Sequence, residues 1–210
     1  MLPLWNKISL MSSGDLPTVL VVDDEPDVAD AYAAQLSVEY HVETAYSGGE
    51  ALEKLTPSVD VVLLDRRMPG VSGDDVLEEI REMGMECRVA MVTAVDPDFD
   101  IIDMPFDDYV IKPVSRDDLT DTIERLLVCA EYESKLQAYY ALSTKYATLL
   151  ANKSTAELQA SEEFADLAVR RTEVREELDA TVEQFDDEDF EAVFRELHGT
   201  GSPSPEPADR

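Results

Sequence analysis

The 210-residue chain has two cysteines, Cys87 and Cys129, too few for a disulfide framework. Their separation fits no metal-ligand spacing, and they read as reduced, buried thiols. Positive charge is also scarce: 17 Lys and Arg stand against 47 Asp and Glu, a formal net charge of −30, and only six of the basic residues are Lys. Such a balance opposes contact with DNA phosphates. No run approaches the roughly 20 apolar residues of a membrane-spanning helix. The opening MLPLWNKISLM, with a single Lys and no long apolar core, is a poor signal peptide, and Met11 is a second candidate start. Glycine and proline are missing from residues 129–198, which removes the usual helix breakers there.

The acidic excess is spread along the chain, at −19 over residues 1–130, −10 over 131–198 and −1 in the tail, so it is not one local docking patch. A hydrophobic content of 44% excludes a wholly disordered chain. Charge on this scale suits a strongly salted cytoplasm, where screening shortens the Debye length to about 3 Å at molar ionic strength and relieves self-repulsion. Stability should therefore rise over the molar salt range and the chain should expand in dilute buffer. A full native circular dichroism spectrum in dilute, Mg²⁺-free buffer would refute this halophilic reading.

Within residues 17–128 the apolar runs are short and each ends in a functional side chain. TVLVV (18–22) ends at Asp23-Asp24, VVLL (61–64) at Asp65, RVAMV (88–92) at Thr93, and DYVI (108–111) at Lys112-Pro113. Continuous Val and Leu runs read as strands buried on both faces. Pro26 starts a helix with Val28, Ala29, Tyr32, Ala33 and Leu36 inward. His41–Ala45 is a short edge strand, Ser47 with Glu50 offers a capping box for the next helix, and Gly73-Asp74 opens another. Ser115 with Asp118 caps a last helix through Leu119, Ile123, Leu126 and Leu127. Five strands alternating with helices predict a doubly wound, flavodoxin-like parallel sheet of order 2-1-3-4-5, with Asp23, Asp24 and Asp65 converging at its switch point.

Taken singly these residues have plainer roles: strand-end caps, a helix N-terminal acid cluster, a solvated lysine. Together they make a chemical set. Three carboxylates in one crevice repel, which invites a hard divalent cation such as Mg²⁺. The expectation is that removing Asp65 would stabilise the metal-free protein by ~0.5–2 kcal/mol. Asp65 could attack phosphorus, Lys112 could neutralise a phosphoryl oxygen and the Thr93 hydroxyl could bond another.

VLVVDDEP, VVLLDRRMPGVSG, MVTA and DDYVIKPV resemble the receiver domain of two-component response regulators, over residues 17–128. The resemblance implies that Asp65 is the phosphoacceptor, that Asp23 and Asp24 are the acid pair at the Mg²⁺ site, and that the Arg67 backbone carbonyl is a further ligand. It makes Thr93 the switch hydroxyl, Tyr109 the switch aromatic and Lys112 the conserved-type lysine, and it implies a cis Lys112-Pro113 bond and a histidine kinase as donor. The chain departs from the family pattern in AVDPDFDIIDMPFDD (94–108), which leaves room for only a short fourth helix. Arg67 and Val95 supply no acid or amide to position a hydrolytic water, which implies slow self-dephosphorylation. A Mg²⁺-dependent aspartyl-phosphate phosphatase would need a second acid and a cap, and neither is evident, so the chain is not expected to be a turnover enzyme. A non-phosphorylated scaffold is the other alternative.

In residues 129–198, Leu136, Tyr139, Leu142, Tyr146 and Leu149 recur at helical spacing, as do Phe164, Leu167, Val174, Leu178, Val182 and Phe185. A polar break at Asn152-Lys153-Ser154 predicts a coiled-coil-like helical hairpin, and Asp186–Leu197 could add a third helix. Tyr139, Tyr140, Tyr146 and Phe164 exceed what one hairpin seam requires, so this segment is expected to form a homodimer or bind a protein partner. The hairpin contains no His, so it cannot be the phosphorylated helix pair of a sensor kinase; His198 lies beyond the hairpin, beside the tail. A receiver followed by such an acidic segment is similar to the haloarchaeal HalX-containing regulators. The domain reading is a disordered extension over 1–16, the receiver over 17–128, a HalX-like domain over 129–198 and a disordered tail over 199–210.

Overall fold

A computed structural model describes residues 16–182. Met11, nearly all of the N-terminal extension, Asp186–Leu197, His198 and the tail lie outside the described residues. Contacts divide the chain between Leu127 and Val128.

The first unit contains five strands, β1 (Thr18–Val22), β2 (His41–Ala45), β3 (Val61–Leu64), β4 (Arg88–Thr93) and β5 (Asp108–Ile111). They form one parallel sheet in the order β2-β1-β3-β4-β5. Because neighbouring residues of a strand face opposite sides, each central strand feeds two cores. Leu20, Val22, Val62, Leu64, Val89 and Met91 pack with α2 (Gly48–Lys54) and α3 (Gly73–Glu82). Val19, Val21, Val61, Leu63, Ala90 and Val92 pack with α1 (Pro26–Leu36) and with Leu119, Ile123 and Leu126 at the start of α4 (Arg116–Asn152). The expected order and layering are those observed.

The helix starts follow local chemistry. Ser72 caps α3 in a full capping box with Asp75, and Ser115 with Asp118 does the same for α4. The box expected at α2 is half formed. The Ser47 hydroxyl accepts from the Glu50 amide, but the Glu50 carboxylate takes the Tyr46 amide and the Lys54 ammonium instead of the Ser47 amide. Between β4 and β5 the short fourth helix is a 3-10 turn, Phe99–Asp103, capped by the Asp98 carboxylate on the Phe99 amide and flanked by Pro97 and Pro105.

In the second unit α4 runs unbroken to Asn152, as the lack of Gly and Pro predicts. The polar break then holds an extra short helix, α5 (Thr155–Ala160), capped by a Ser154/Glu157 box, before α6 (Glu162–Val182). The Ser154 amide and hydroxyl, with Lys153, pull the Glu157 carboxyl down to about 2. The hairpin closes where Lys135 Nζ donates to the buried Thr181 hydroxyl at 3.1 Å. Tyr146 stacks on Phe164 at 4.9 Å, and the Arg171 guanidinium sits 4.2 Å from the Tyr146 ring centre. Two of the four aromatics thought to be surplus are thus used inside the hairpin, whereas Tyr140 is 64% exposed.

Candidate functional site

The ends of β1, β3, β4 and β5 lie along one edge of the sheet. The register pairs Val22 with Leu64, so the next residues, Asp23 and Asp65, stand side by side, and the Asp65 amide donates to the Val22 carbonyl at 2.8 Å. The turn after Asp65 is sharp: Pro69 leads into Gly70, whose φ of 82° is in the left-handed region that glycine tolerates.

Asp23 and Asp65 are 2% and 7% exposed, and ionised carboxylates at that depth need partners. Lys112 supplies one to both. Its Nζ is 2.6 Å from Asp23 Oδ2 and 3.1 Å from Asp65 Oδ1. The remaining oxygens accept main-chain donors, Asp23 Oδ1 from the Glu25 amide and Asp65 Oδ2 from the Arg67 amide, each at 3.0 Å. Burial alone would push the Lys112 ammonium down, but the hydrogen bond to Asp23 and the charge and hydrogen bond of Asp65 outweigh it and hold it above the ordinary lysine range.

Lys112 lessens the crowding of the carboxylates without removing it. Lys112 is expected to meet a phosphoryl oxygen; in the metal-free protein its one ammonium bridges the two buried carboxylates and offsets one of their two charges. Removing Asp65 would leave Lys112 paired one to one with Asp23, so any gain in metal-free stability is reduced by the lost Lys112–Asp65 hydrogen bond.

Asp24 is half-buried at the end of β1, with no contact to Asp65 or Lys112 among the hydrogen bonds and ion pairs described. Arg67 has an exposed side chain and contributes its main chain. Thr93 is 1% exposed at the end of β4, where its hydroxyl accepts from the Val95 amide at 3.4 Å. The Tyr109 hydroxyl donates to the Val95 carbonyl at 2.9 Å, and its ring packs on Phe106 at 5.4 Å. The two switch candidates therefore meet on one residue, Val95. The Lys112-Pro113 bond is cis.

Sequence reasoning passed over Arg66. It is 7% exposed, whereas the adjacent Arg67 is exposed. Strand alternation was the available signal: the residue after Asp65 must point to the opposite face, the one that carries Tyr109. Arg66 Nε donates to Asp74 Oδ1 at 3.0 Å, and an Arg66 amino group donates to Asp100.

The donor set that the receiver resemblance implies suits a hard cation by its chemistry. Two buried carboxylates, the half-buried Asp24 and the main-chain carbonyl of Arg67 contain no sulfur or imidazole donor. Among the described residues no three His, Cys, Asp or Glu side chains form a ready-made cage. Mg²⁺ does not require one, since it is commonly held by one or two carboxylates and completed by water and phosphate oxygens. No helix among the described residues is long and apolar enough to cross a membrane.

The chain belongs to the response regulator receiver domain family, which matches residues 19–124. It also carries a HalX domain, matched over residues 128–194. It is 53% identical over 165 residues to a candidate transcriptional regulator of Haloferax volcanii, covering 78% of this chain and 28% of that protein. It is 42% identical over 113 residues to the transcriptional regulatory protein CutR of Streptomyces coelicolor, covering 51% of this chain and 52% of CutR. The chain thus spans about a quarter and about half of these two relatives. Among solved structures it is similar to a CheY-like response regulator receiver domain protein from Methanospirillum hungatei, with a TM-score of 0.53 and 29% identity, covering 57% of this chain and 99% of that one.

Proposed function

We propose that this protein is a phosphorylation-controlled switch in a two-component phosphorelay, acting in the cytoplasm. A histidine kinase donates to Asp65, and residues 129–198 carry the output as a protein interaction module or homodimer in transcriptional or signalling control. The observation that carries this reading is the Asp65 carboxylate, buried at the sheet edge and hydrogen-bonded to Lys112 Nζ at 3.1 Å. An Asp65 oxygen attacks phosphorus, an O–P bond forms, and the P–N bond to the donor imidazole breaks with its electron pair leaving on nitrogen. Lys112 and the Thr93 hydroxyl are the side chains able to bond phosphoryl oxygens as charge develops there. Asp23, Asp24, Asp65 and the Arg67 carbonyl would hold Mg²⁺, which when bound offsets charge on the transferring group.

The acidic hairpin disfavours direct DNA binding, because few cations are available to displace counterions from the duplex. The acid beside the nucleophile, Asp23, is already bonded to Lys112 Nζ and to the Glu25 amide and is not free to protonate a leaving group, which favours a stored acyl phosphate over turnover of small phosphoesters.

The test is intact-mass spectrometry after incubation with a small phosphodonor and Mg²⁺. The wild type should gain one phosphoryl group and hold it, Asp65→Asn should gain none, and chelation of the metal should prevent the gain. A phosphoryl adduct that survives in Asp65→Asn would remove Asp65 from the mechanism, and rapid turnover of a phosphoester would favour the phosphatase.

A further inference from the structure

Arg66 is a buried cation that the phosphoryl-transfer chemistry does not use. Burying a guanidinium is costly unless it is paired and hydrogen-bonded, so its partners indicate what it is for. They come from three places in the sequence. Asp74 is in the first turn of α3, with Oδ1 at 3.0 Å from Arg66 Nε and Oδ2 at 3.3 Å from an amino nitrogen. Asp100 is in the 3-10 turn, 34 residues away. The Tyr109 hydroxyl acts on the same guanidinium, and these partners together raise its pKa although burial works against them.

The backbone on the other side of Arg66 is equally fixed. Its carbonyl accepts the Gly73 amide at 2.9 Å, and its neighbour Asp65 is tied to β1 and Lys112. Arg66 is thus anchored to the phosphoacceptor by one peptide bond and to the segment after β4 by an ion pair. Within that segment Thr93 and Tyr109 both hold Val95. Thr93 bonding a phosphoryl oxygen would release the Val95 amide, and Tyr109 links Val95 to Arg66.

We propose that Arg66 is a positioning residue whose ion pair with Asp100 holds the 3-10 turn Phe99–Asp103 to the phosphoacceptor loop, so that phosphorylation of Asp65 is felt in that turn through Arg66. The planar fork of Arg suits this role, because one side chain can bond two carboxylates and a hydroxyl in fixed directions. Aspartyl phosphate carries roughly −1.5 to −2 charge, the usual charge of a protein phosphate near neutral pH, in place of the carboxylate's single charge. Up to about one further negative charge therefore appears one residue from a guanidinium whose hold on Asp100 is electrostatic. Asp100 is the partner best placed to respond: its side chain is 55% exposed, and it sits between Phe99 and Ile102, themselves 85% and 73% exposed. Whatever moves Asp100 changes how that apolar pair is presented.

The proposal rests on Asp65 being the phosphoacceptor, and the test separates the two. Hydrogen–deuterium exchange of residues 98–103 is followed in the full chain, with and without phosphodonor, while intact mass reports phosphorylation. In the resting protein Asp100→Asn and Arg66→Met should each speed exchange in this turn at least tenfold. On phosphorylation the wild type should change its exchange there, and both variants should accept phosphate on Asp65 but show no further change in the turn. Asp100→Asn carries the test if Arg66→Met does not fold, because Asp100 is a surface residue. Unaltered exchange in the resting variants, no change in the turn of phosphorylated wild type, or a full phosphorylation-dependent change persisting in the variants would each overturn the role of Arg66. A wild type that takes no phosphate refutes the phosphoacceptor reading and removes the transmission claim with it.

Discussion

Replacing Lys112 with Met should cost the metal-free protein about 3–5 kcal/mol, the range found when one partner of a buried ion pair is removed and the other charge is left behind. Here two charges are left. Asp23 and Asp65 have side chains 3% and 9% exposed, and Lys112 is the cation bonded to both. Met fills nearly the same volume, so the loss is electrostatic and not a cavity effect. Chemical denaturation at neutral pH in molar salt measures it, and a cost under about 1 kcal/mol, the level of a solvated surface pair, would refute the bridge as a stabilising contact. Mg²⁺ held at the proposed site should restore more stability to the variant than it adds to the wild type, where Lys112 already bonds the carboxylates.

The pH dependence has a definite sign. A lysine held above its ordinary value of 10.5 in the folded state contributes stability that is fully present below that value and is lost as pH rises through the higher folded pKa. Wild-type stability attributable to Lys112 should stay level from neutral pH to about 10 and decline above it. Lys112→Met should lack that part of the alkaline decline.

Gly73→Ala should also destabilise the protein, though by less, against the ordinary preference for Ala in a helix. By propensity alone the change would stabilise α3 by about 1 kcal/mol. Gly73, however, is pressed onto the backbone of the loop that carries Asp65 and Arg66. A Cβ built there would lie 2.1 Å from the Asp65 carbonyl oxygen and 2.8 Å from the Arg66 Cα. Neither atom belongs to a side chain that could swing away, so β3 or α3 must shift. Overpacking of this kind costs about 1–3 kcal/mol and occasionally more, enough to exceed the propensity gain. The displaced atoms carry Asp65, so the larger effect is functional: phosphorylation by a small donor should fall at least tenfold while the far-ultraviolet circular dichroism stays native. Wild-type phosphorylation in Gly73→Ala would show that the helix can slide without moving the site.

The strand order and the acidic and basic strand ends are readable in the sequence because the signals are local. VVLL followed by Asp65, or DYVI followed by Lys112, states both a strand and what stands at its end. Partnership is not local. Nothing near Lys112 says that it will reach Asp23, 89 residues away, before it meets any phosphate. The same limit hid Arg66. In DRRMPG the two arginines are alike in composition, and only the packed face distinguishes the buried one from the exposed one. Its partner was equally obscure, because DPDFDIID offers four acids at close spacing and the 3-10 turn selects Asp100. Tyr146 and Phe164 looked like free aromatic surface because periodicity shows which side of a helix is apolar, not which ring meets which.

The sheet also acts as a reading frame. Asp23, Asp65 and Lys112 are each the first residue after a strand, and the β1–β3 register Val22 with Leu64 aligns the first two. Loops at the opposite end of the sheet can lengthen without disturbing this alignment, since paired backbones fix the phase. A deletion inside β3 cannot be absorbed in the same way. Loss of one residue would give Asp65 the orientation of Arg66 and expose its carboxylate to the wrong layer of helices. Loss of two would restore the orientation but draw the carboxylate about 6.6 Å in from the rim, one full pleat repeat. Chemistry at this edge therefore constrains strand length as strictly as residue identity.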